Sequence, residues 1–212
     1  ARGFKAYVVN ARHLKNVPGR KSDVQDCQWI QRLHSFGLLS GSFRPEAEMC
    51  ALRAYLRHRG TLLENRAAHI QHMQKALQQM NVQLRQVLSD ITGETGLAII
   101  RAIVAGERDS VKLAQLRNPT CAHSEDDIAK ALTGNYRAEH LFALKQALAL
   151  YDFYTTQIQE CDVEIEQHYH ACKPVVDVEQ HPLPPTTKPN THSKNAPAFD
   201  VRLHLYRLTG LD

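Results

Sequence analysis

Two features that would place the chain in a membrane or outside the cell are missing from its sequence. No stretch approaches the roughly 18 consecutive apolar residues of a membrane-spanning helix, and the N-terminus lacks the apolar core of a secretory signal. The five cysteines are an odd number with no C-x-x-C pair, so they form neither a disulfide framework nor a zinc ribbon. We therefore expect a soluble, cytoplasmic protein with reduced thiols and no membrane partner.

The composition is that of a globular chain whose positive charge is concentrated near the N-terminus. Hydrophobic residues make up 43% and charged residues 23% of the chain, which excludes disorder throughout. Residues 1–66 carry twelve Lys or Arg against five Asp or Glu, whereas the rest of the chain carries fourteen against seventeen. A localised basic surface favours a polyanionic partner such as nucleic acid, although many basic helices are only solvated faces.

One segment alone predicts a β-strand. Residues Phe4 to Asn10 are rich in aromatic and β-branched residues, as buried strands are. A strand leaves its backbone groups unpaired unless another strand lies beside it, either from a second copy or from the same sheet. We expect the second case, in which the chain is a fragment that begins inside a domain.

The following segment predicts a helix with a clear start. Ser22 and Gln25 have the spacing of a capping box, and the helix that they open should run to about Phe36. A glycine-containing turn follows, and Pro45 suits the first turn of the next helix.

A long heptad repeat starts at Met49. The first series, aliphatic or Met throughout, is Met49, Leu56, Leu63, Ile70, Leu77, Leu84 and Ile91. The second series, apolar at four of six positions, is Leu52, Arg59, Arg66, Met73, Met80 and Val87. The repeat predicts one continuous coiled-coil helix over Met49 to Ile91.

A small helical cap and a second long helix follow. Gly93 and Gly106 bound one short helix, and Ser124 to Leu132 predicts another. The second heptad helix extends from about Arg137 to His170. Its two series are Leu144, Tyr151, Ile158 and Ile165, and Leu141, Leu148, Thr155, Asp162 and Tyr169. Two long helices joined by a compact cap predict an antiparallel coiled-coil hairpin.

Residues suited to phosphoryl transfer are concentrated around the first helix. Asp23 and Asp26 lie three residues apart, which places their Cβ atoms about 5 to 6 Å apart on one helix face, within reach of one divalent cation. Four cationic residues precede them: Arg12, Lys15, Arg20 and Lys21. Carboxylates that hold Mg²⁺ beside cations that bind phosphate suit phosphoryl transfer. Alternatively, Asp23 only complements the helix dipole and Asp26 pairs with a surface cation.

The same segment resembles a known enzyme family. The resemblance rests on the run VNARHLKNVPGRKSDVQDCQWIQRLHSFGLLSGSFRP, on the heptad helix after it and on the segment SDITGETGLAIIRAIVAGERD. It is to the DEDD transposases of bacterial insertion sequences, the one-ten family, also known as bridge-RNA-guided recombinases. It extends from Phe4 to about Tyr169, and its most specific part is N-x-x-x-x-K-x-x-x-x-R-K-S-D-x-x-D.

The resemblance implies an activity and its catalytic groups. Members of this family have an N-terminal RNase H-like domain with four acidic residues that bind Mg²⁺, of which Asp23 and Asp26 match the last two. The first two would lie upstream of Ala1, and a C-terminal domain that supplies a serine nucleophile would lie beyond Asp212. The implied activity is magnesium-dependent cleavage and rejoining of DNA strands in insertion-sequence transposition, guided by a structured RNA. This chain alone is therefore expected to be inactive.

The resemblance also implies partners and a location. Phosphates of DNA or of the guide RNA would contact the four cationic residues, Arg12, Lys15, Arg20 and Lys21. The coiled coil would join protomers into a homo-oligomer. The enzyme would act in the bacterial cytoplasm, at the nucleoid.

The predicted architecture is mainly α. The tail of an RNase H-like α/β domain, one strand and one helix, occupies residues 1–44, and the coiled-coil hairpin with its cap occupies residues 45–172. Six prolines between Lys173 and Pro197 mark a linker over residues 173–198. Residues 199–212, where helical spacing resumes, would start the C-terminal transposase domain.

Two alternatives stay open. Cys161, His168 and Cys172 share one face of the second long helix, with His170 nearby, and offer zinc ligands. Their spacing matches no standard motif, and we expect an incidental grouping at a half-buried helix end. The whole chain could instead be a non-catalytic coiled-coil oligomerisation module with a basic, nucleic-acid-binding end.

Overall fold

The computed structural model describes residues 7–10, 22–43, 45–185 and 194–211, and these residues form eight helices and no strand. The prediction of a mainly α chain is therefore confirmed. Contacts between Cα atoms divide the chain into two units, Ala1–Cys50 and Ala51–Asp212. None of the described helices combines the length and the apolar character needed to cross a bilayer.

The predicted strand is not seen where the chain is described. Residues 7–10 have no regular structure, and residues 4–6 lie outside the described residues. The backbone carbonyl of Val8 accepts a hydrogen bond from the Ser42 amide at 2.7 Å. One such bond ties two loops together but does not make the repeated ladder that defines a strand pair.

Helix α1, Asp23–Ser35, begins where the sequence predicts. The Ser22 side chain accepts a hydrogen bond from the Gln25 amide at 3.3 Å. Gly37 lies two residues after the last residue of the helix and has a φ of +68°. The Leu38 amide donates to the Leu33 carbonyl at 2.9 Å, the bond of a Schellman motif. No residue of α1 is buried.

Helix α2, Ala47–Gln79, starts two residues before the predicted Met49 and ends twelve residues before the predicted Ile91. Pro45 precedes it rather than lying in its first turn. At the other end Asn81 has a φ of +57°, and the Val82 amide donates to the Leu77 carbonyl at 2.9 Å, which again closes the helix with a Schellman motif. The prediction of one helix through Ile91 is therefore wrong. The chain turns after Gln79.

The last members of the first heptad series are buried outside α2. Leu84 lies in helix α3, Leu84–Val87, and Ile91 lies in the loop after it. Both are 0–1% exposed within the core cluster of the helical cap. Their apolar spacing marked a core position but not a continuous helix.

Three of the six buried residues of α2 belong to the second heptad series and one, Leu77, to the first. Leu52, Arg59 and Met73 are 3%, 8% and 0% exposed, whereas Met49 and Leu56 of the first series are each 40% exposed. Periodicity alone did not distinguish the two series because both are rich in apolar residues.

Three more helices form the cap. Helix α4, Glu94–Ala105, lies between Gly93 and Gly106 as predicted, and Gly106 has a φ of +112°. Helix α6, Glu125–Ala131, starts with a capping box in which Ser124 and Asp127 exchange hydrogen bonds. The five-residue helix α5, Ser110–Ala114, was not predicted. The cap core comprises Ile99, Ile100, Ile103, Leu113, Ile128 and Leu132, each fully buried.

Helix α7, Ala138–Ala171, matches the predicted second long helix. Six members of its two heptad series are buried: Leu144, Leu148, Ile158, Asp162, Ile165 and Tyr169. Residues later in α2 contact residues earlier in α7. Tyr55 lies against His168, and His69 lies against Tyr154, with ring centroids 4.8 and 5.4 Å apart. The two helices therefore run in opposite directions.

The C-terminal segment ends in helix α8, Val201–Thr209. The Asp200 side chain accepts a hydrogen bond from the Leu203 amide at 3.0 Å, and Gly210 follows the helix with a φ of +73°. Phe199 is buried in a second core cluster that includes Ile165 and Tyr169 of α7. The domain limits drawn from the sequence stay predictions.

Replacing two glycines that lie inside helices by alanine should have opposite effects on stability. A Cβ at Gly60 of α2 meets nothing within 4 Å, so Gly60→Ala should stabilise the protein by about 0.5–1 kcal/mol. A Cβ at Gly96 of α4 would overlap the Ile91 backbone, so Gly96→Ala should destabilise it by about 1–3 kcal/mol. Urea unfolding monitored by circular dichroism would measure both. Equal effects of the two substitutions would contradict the close approach of Gly96 to Ile91.

Candidate functional site

The two candidate metal ligands lie in the first turn of α1. Asp23 and Asp26 are both exposed, and Ser22 caps the helix immediately before them. Their three-residue spacing on this helix places both carboxylates on one face. Free backbone amides at a helix start favour negative charge, which is also why acids are common there without a metal.

The donor set of this pair fits Mg²⁺. Magnesium prefers oxygen ligands and keeps several of its waters, so it usually binds proteins through one or two carboxylates. Asp23 and Asp26 supply two such carboxylates at an exposed position, where a hydrated ion and a phosphate can approach. The structure places the two acids where the sequence predicted them, and their role as ligands stays a prediction.

The predicted phosphate-binding residues cannot be located relative to Asp23 and Asp26. Arg12, Lys15, Arg20 and Lys21 all lie outside the described residues. Their contacts with phosphate stay predictions from the sequence.

The predicted zinc candidates on α7 are not brought together as a metal-binding group. The Cys161 thiol is buried 3.7 Å from the Tyr55 carbonyl, and the His168 ring packs on the Tyr55 ring. Burial, and then the neighbouring Asp162 carboxylate, raises the pKa of Cys161. A thiol kept protonated in this way is a poor zinc ligand. The expectation of an incidental grouping stays a prediction.

A buried ion pair joins the two long helices. Arg59 of α2 and Asp162 of α7 are 8% and 4% exposed, and the guanidinium Nε donates to Asp162 Oδ1 while Nη2 donates to Oδ2 at 3.2 Å. Arg59 Nη2 also donates to the Asn195 carbonyl at 3.0 Å. The Ala198 amide donates to Asp162 Oδ2 at 3.3 Å. The pair therefore also holds the returning C-terminal segment.

The sequence contains a feature from which this ion pair could have been predicted. Arg59 and Asp162 each interrupt an apolar heptad series. A charge at a core heptad position requires a partner because burying it alone is costly. Opposite charges at core positions of two helices that are predicted to be antiparallel could therefore have been predicted to form an ion pair.

Comparison with protein families supports a transposase. Residues 1–82 match a family model whose description is "Transposase", which in general indicates a DNA-processing enzyme. The model is that of the IS110-type DEDD transposases, so the resemblance predicted from the sequence is confirmed over these residues. The matched range contains Asp23 and Asp26. No curated protein and no solved structure matches the chain significantly.

Proposed function

We propose that this chain acts in a transposase that cleaves and rejoins DNA strands with Mg²⁺ held by Asp23 and Asp26. The observation that carries the proposal is the position of these two acids. They are exposed in the first turn of one helix, inside the range that matches the transposase family. Bound Mg²⁺ would neutralise the charge that develops on a reacting phosphate.

Nucleic acid is the partner that the charge distribution favours. The excess of Lys and Arg is confined to the N-terminal third of the chain, which includes the segment before Asp23. Arg12, Lys15, Arg20 and Lys21 would bind phosphates, which fixes position along a strand without reading its sequence. Guidance by a structured RNA is part of the proposal and rests on the family resemblance.

The antiparallel pair of α2 and α7 would bring protomers together as a coiled coil. Phe142 and Phe153 of α7 are 65% and 54% exposed, an amount of apolar ring surface that a second protomer could cover. A homo-oligomer of this kind, working at the bacterial nucleoid, completes the proposal. The rival function is a coiled-coil oligomerisation module that binds nucleic acid without chemistry.

Paramagnetic broadening by Mn²⁺ tests the metal site. Added to the isotopically labelled chain, Mn²⁺ should broaden the amide NMR signals of residues around Asp23 and Asp26 before all others. Excess Mg²⁺ should reverse the effect because the two ions share oxygen ligands. Asp23→Asn and Asp26→Asn should each remove it, since an amide supplies no charge to hold the ion.

A matched control separates a metal site from an ordinary acidic helix start. Asp126 is also exposed in the first turn of a helix, α6, but lies outside the matched residues. Asp126→Asn should leave the broadening at Asp23 unchanged. Equal broadening at the starts of α1 and α6 would favour the non-catalytic rival.

A further inference from the structure

Three metal-binding side chains meet where α8 packs on the end of α7. Glu166 and His170 lie one turn apart on α7, and His204 lies on α8. Glu166 Oε1 is 4.0 Å from His170 Nε2 and 3.7 Å from His204 Nε2. One ligand atom from each residue lies within 4.8 Å of the other two.

His204 is a buried imidazole whose hydrogen bonds are incomplete. It is 5% exposed, and its Nδ1 has no hydrogen-bond partner among the described residues. Its Nε2 points toward Glu166, but 3.7 Å is too long for a hydrogen bond. The ring is held by stacking on Tyr169 at a centroid distance of 5.2 Å. A zinc ion bound at Nε2 would give this nitrogen a partner at bonding distance.

The donor set is one that zinc prefers. Two imidazole nitrogens and one carboxylate oxygen give three protein ligands and leave a fourth position for water. Zinc bonds of about 2.0 Å in a tetrahedron place ligand atoms roughly 3.3 Å apart, so the three ligand atoms, which lie within 4.8 Å of one another, must approach by up to about 1.5 Å. The Glu166 and His170 side chains are 43% and 64% exposed, and the His170 ring lies edge-on against the His204 ring at a centroid distance of 4.8 Å.

The charges around the cluster are compatible with a cation. Zinc binds the neutral form of each imidazole. The positive charge of Arg207 opposes a cation, but its guanidinium donates to the Tyr169 carbonyl. Glu166 supplies a negative charge within the cluster.

We propose that Glu166, His170 and His204 bind one zinc ion that fastens α8 to the end of α7. Nothing in this inference depends on the proposed function. Without the metal, the simplest account is an ion pair between Glu166 and His170, four residues apart on one helix.

Titration of the 212-residue chain with zinc alone tests the site. Isothermal calorimetry should find one zinc per chain, and Co²⁺ in its place should give the visible absorption of a four-coordinate site. His170→Ala and Glu166→Gln should each lower zinc affinity by at least about tenfold. Both side chains are exposed enough for the variants to fold, whereas His204→Ala would also disturb the core. A stable fold is checked by circular dichroism.

Three controls decide between this site and other zinc binding. Glu164→Gln, on the exposed face of α7, and His181→Ala, an exposed histidine, should leave the affinity unchanged. Cys172→Ser should also leave it unchanged. The proposal is overturned if no stoichiometric zinc binds, if the His170→Ala affinity equals that of the unsubstituted chain, or if Cys172→Ser removes the binding.

Discussion

Asp26→Asn is expected to abolish magnesium-dependent recombination by the proposed transposase, without unfolding it. The amide is nearly isosteric with the carboxylate but supplies no charge to hold Mg²⁺ or to help neutralise the reacting phosphate. Asp26 is exposed, so the fold does not depend on its charge. A strand-transfer assay on an insertion-sequence substrate, with binding measured in parallel, checks the result. Binding should persist.

Arg20→Ala serves as the contrasting variant because it removes a predicted phosphate contact and no metal ligand. It should weaken nucleic-acid binding and reduce the slope of log affinity against log salt by about 0.9. If Asp23 and Asp26 are only helix-start charges, Asp26→Asn costs at most about 1 kcal/mol of stability and leaves recombination intact.

Asp162→Ala is expected to lower the free energy of unfolding by about 3–5 kcal/mol. The substitution leaves Arg59 buried without its countercharge, since Arg59 is only 8% exposed. It also removes the acceptor of the Ala198 amide, so the C-terminal segment should loosen. Urea unfolding followed by circular dichroism gives the change in free energy.

The exposed ion pair of the same helix is the matched control. Asp152 of α7 binds Arg101 through two hydrogen bonds of 2.7 and 2.8 Å, with the two side chains 40% and 51% exposed. Asp152→Ala should cost only about 0–1 kcal/mol because solvent screens an exposed pair. If Asp162→Ala costs no more than Asp152→Ala, burial does not govern the energetics of the pair. Replacing Arg59 and Asp162 together by Met and Leu should recover most of the loss.

Helix ends were predictable because local chemistry sets them. Ser22 caps α1 through the amide three residues on, and Gly106 ends α4 with a positive φ that glycine adopts at little cost. Both signals lie within a few residues of the ends that they specify. The extent of α7 followed from a heptad repeat that its packing preserves.

The end of α2 was not predictable in this way because it depends on distant residues. The Met80 carbonyl accepts a hydrogen bond from the Asn135 amide at 2.7 Å, and the Gln83 amide donates to the Ala131 carbonyl at 2.8 Å. These contacts stabilise a turn at a point where the apolar spacing alone predicts a continuous helix. Tertiary contacts of this kind override local propensity.

The two candidate metal sites differ in the same way, because local spacing sets one and contacts between distant residues set the other. Asp23 and Asp26 are three residues apart, so the sequence alone could place them on one face of α1. Glu166 and His204 are brought together only by the return of the chain onto α7, which follows a Pro-rich segment without regular spacing. Neighbours made by such a return leave no local pattern in the sequence.

A metal-specificity switch at Asp26 tests most directly whether this residue holds the catalytic ion. Asp26→Cys replaces a hard oxygen ligand by a softer sulfur ligand, which disfavours Mg²⁺ more than Mn²⁺. In the strand-transfer assay we predict that the variant is inactive with Mg²⁺ and recovers activity with Mn²⁺, while the unsubstituted enzyme works with either ion. Activity of Asp26→Cys that is undiminished with Mg²⁺ would contradict the assignment of Asp26 as a metal ligand.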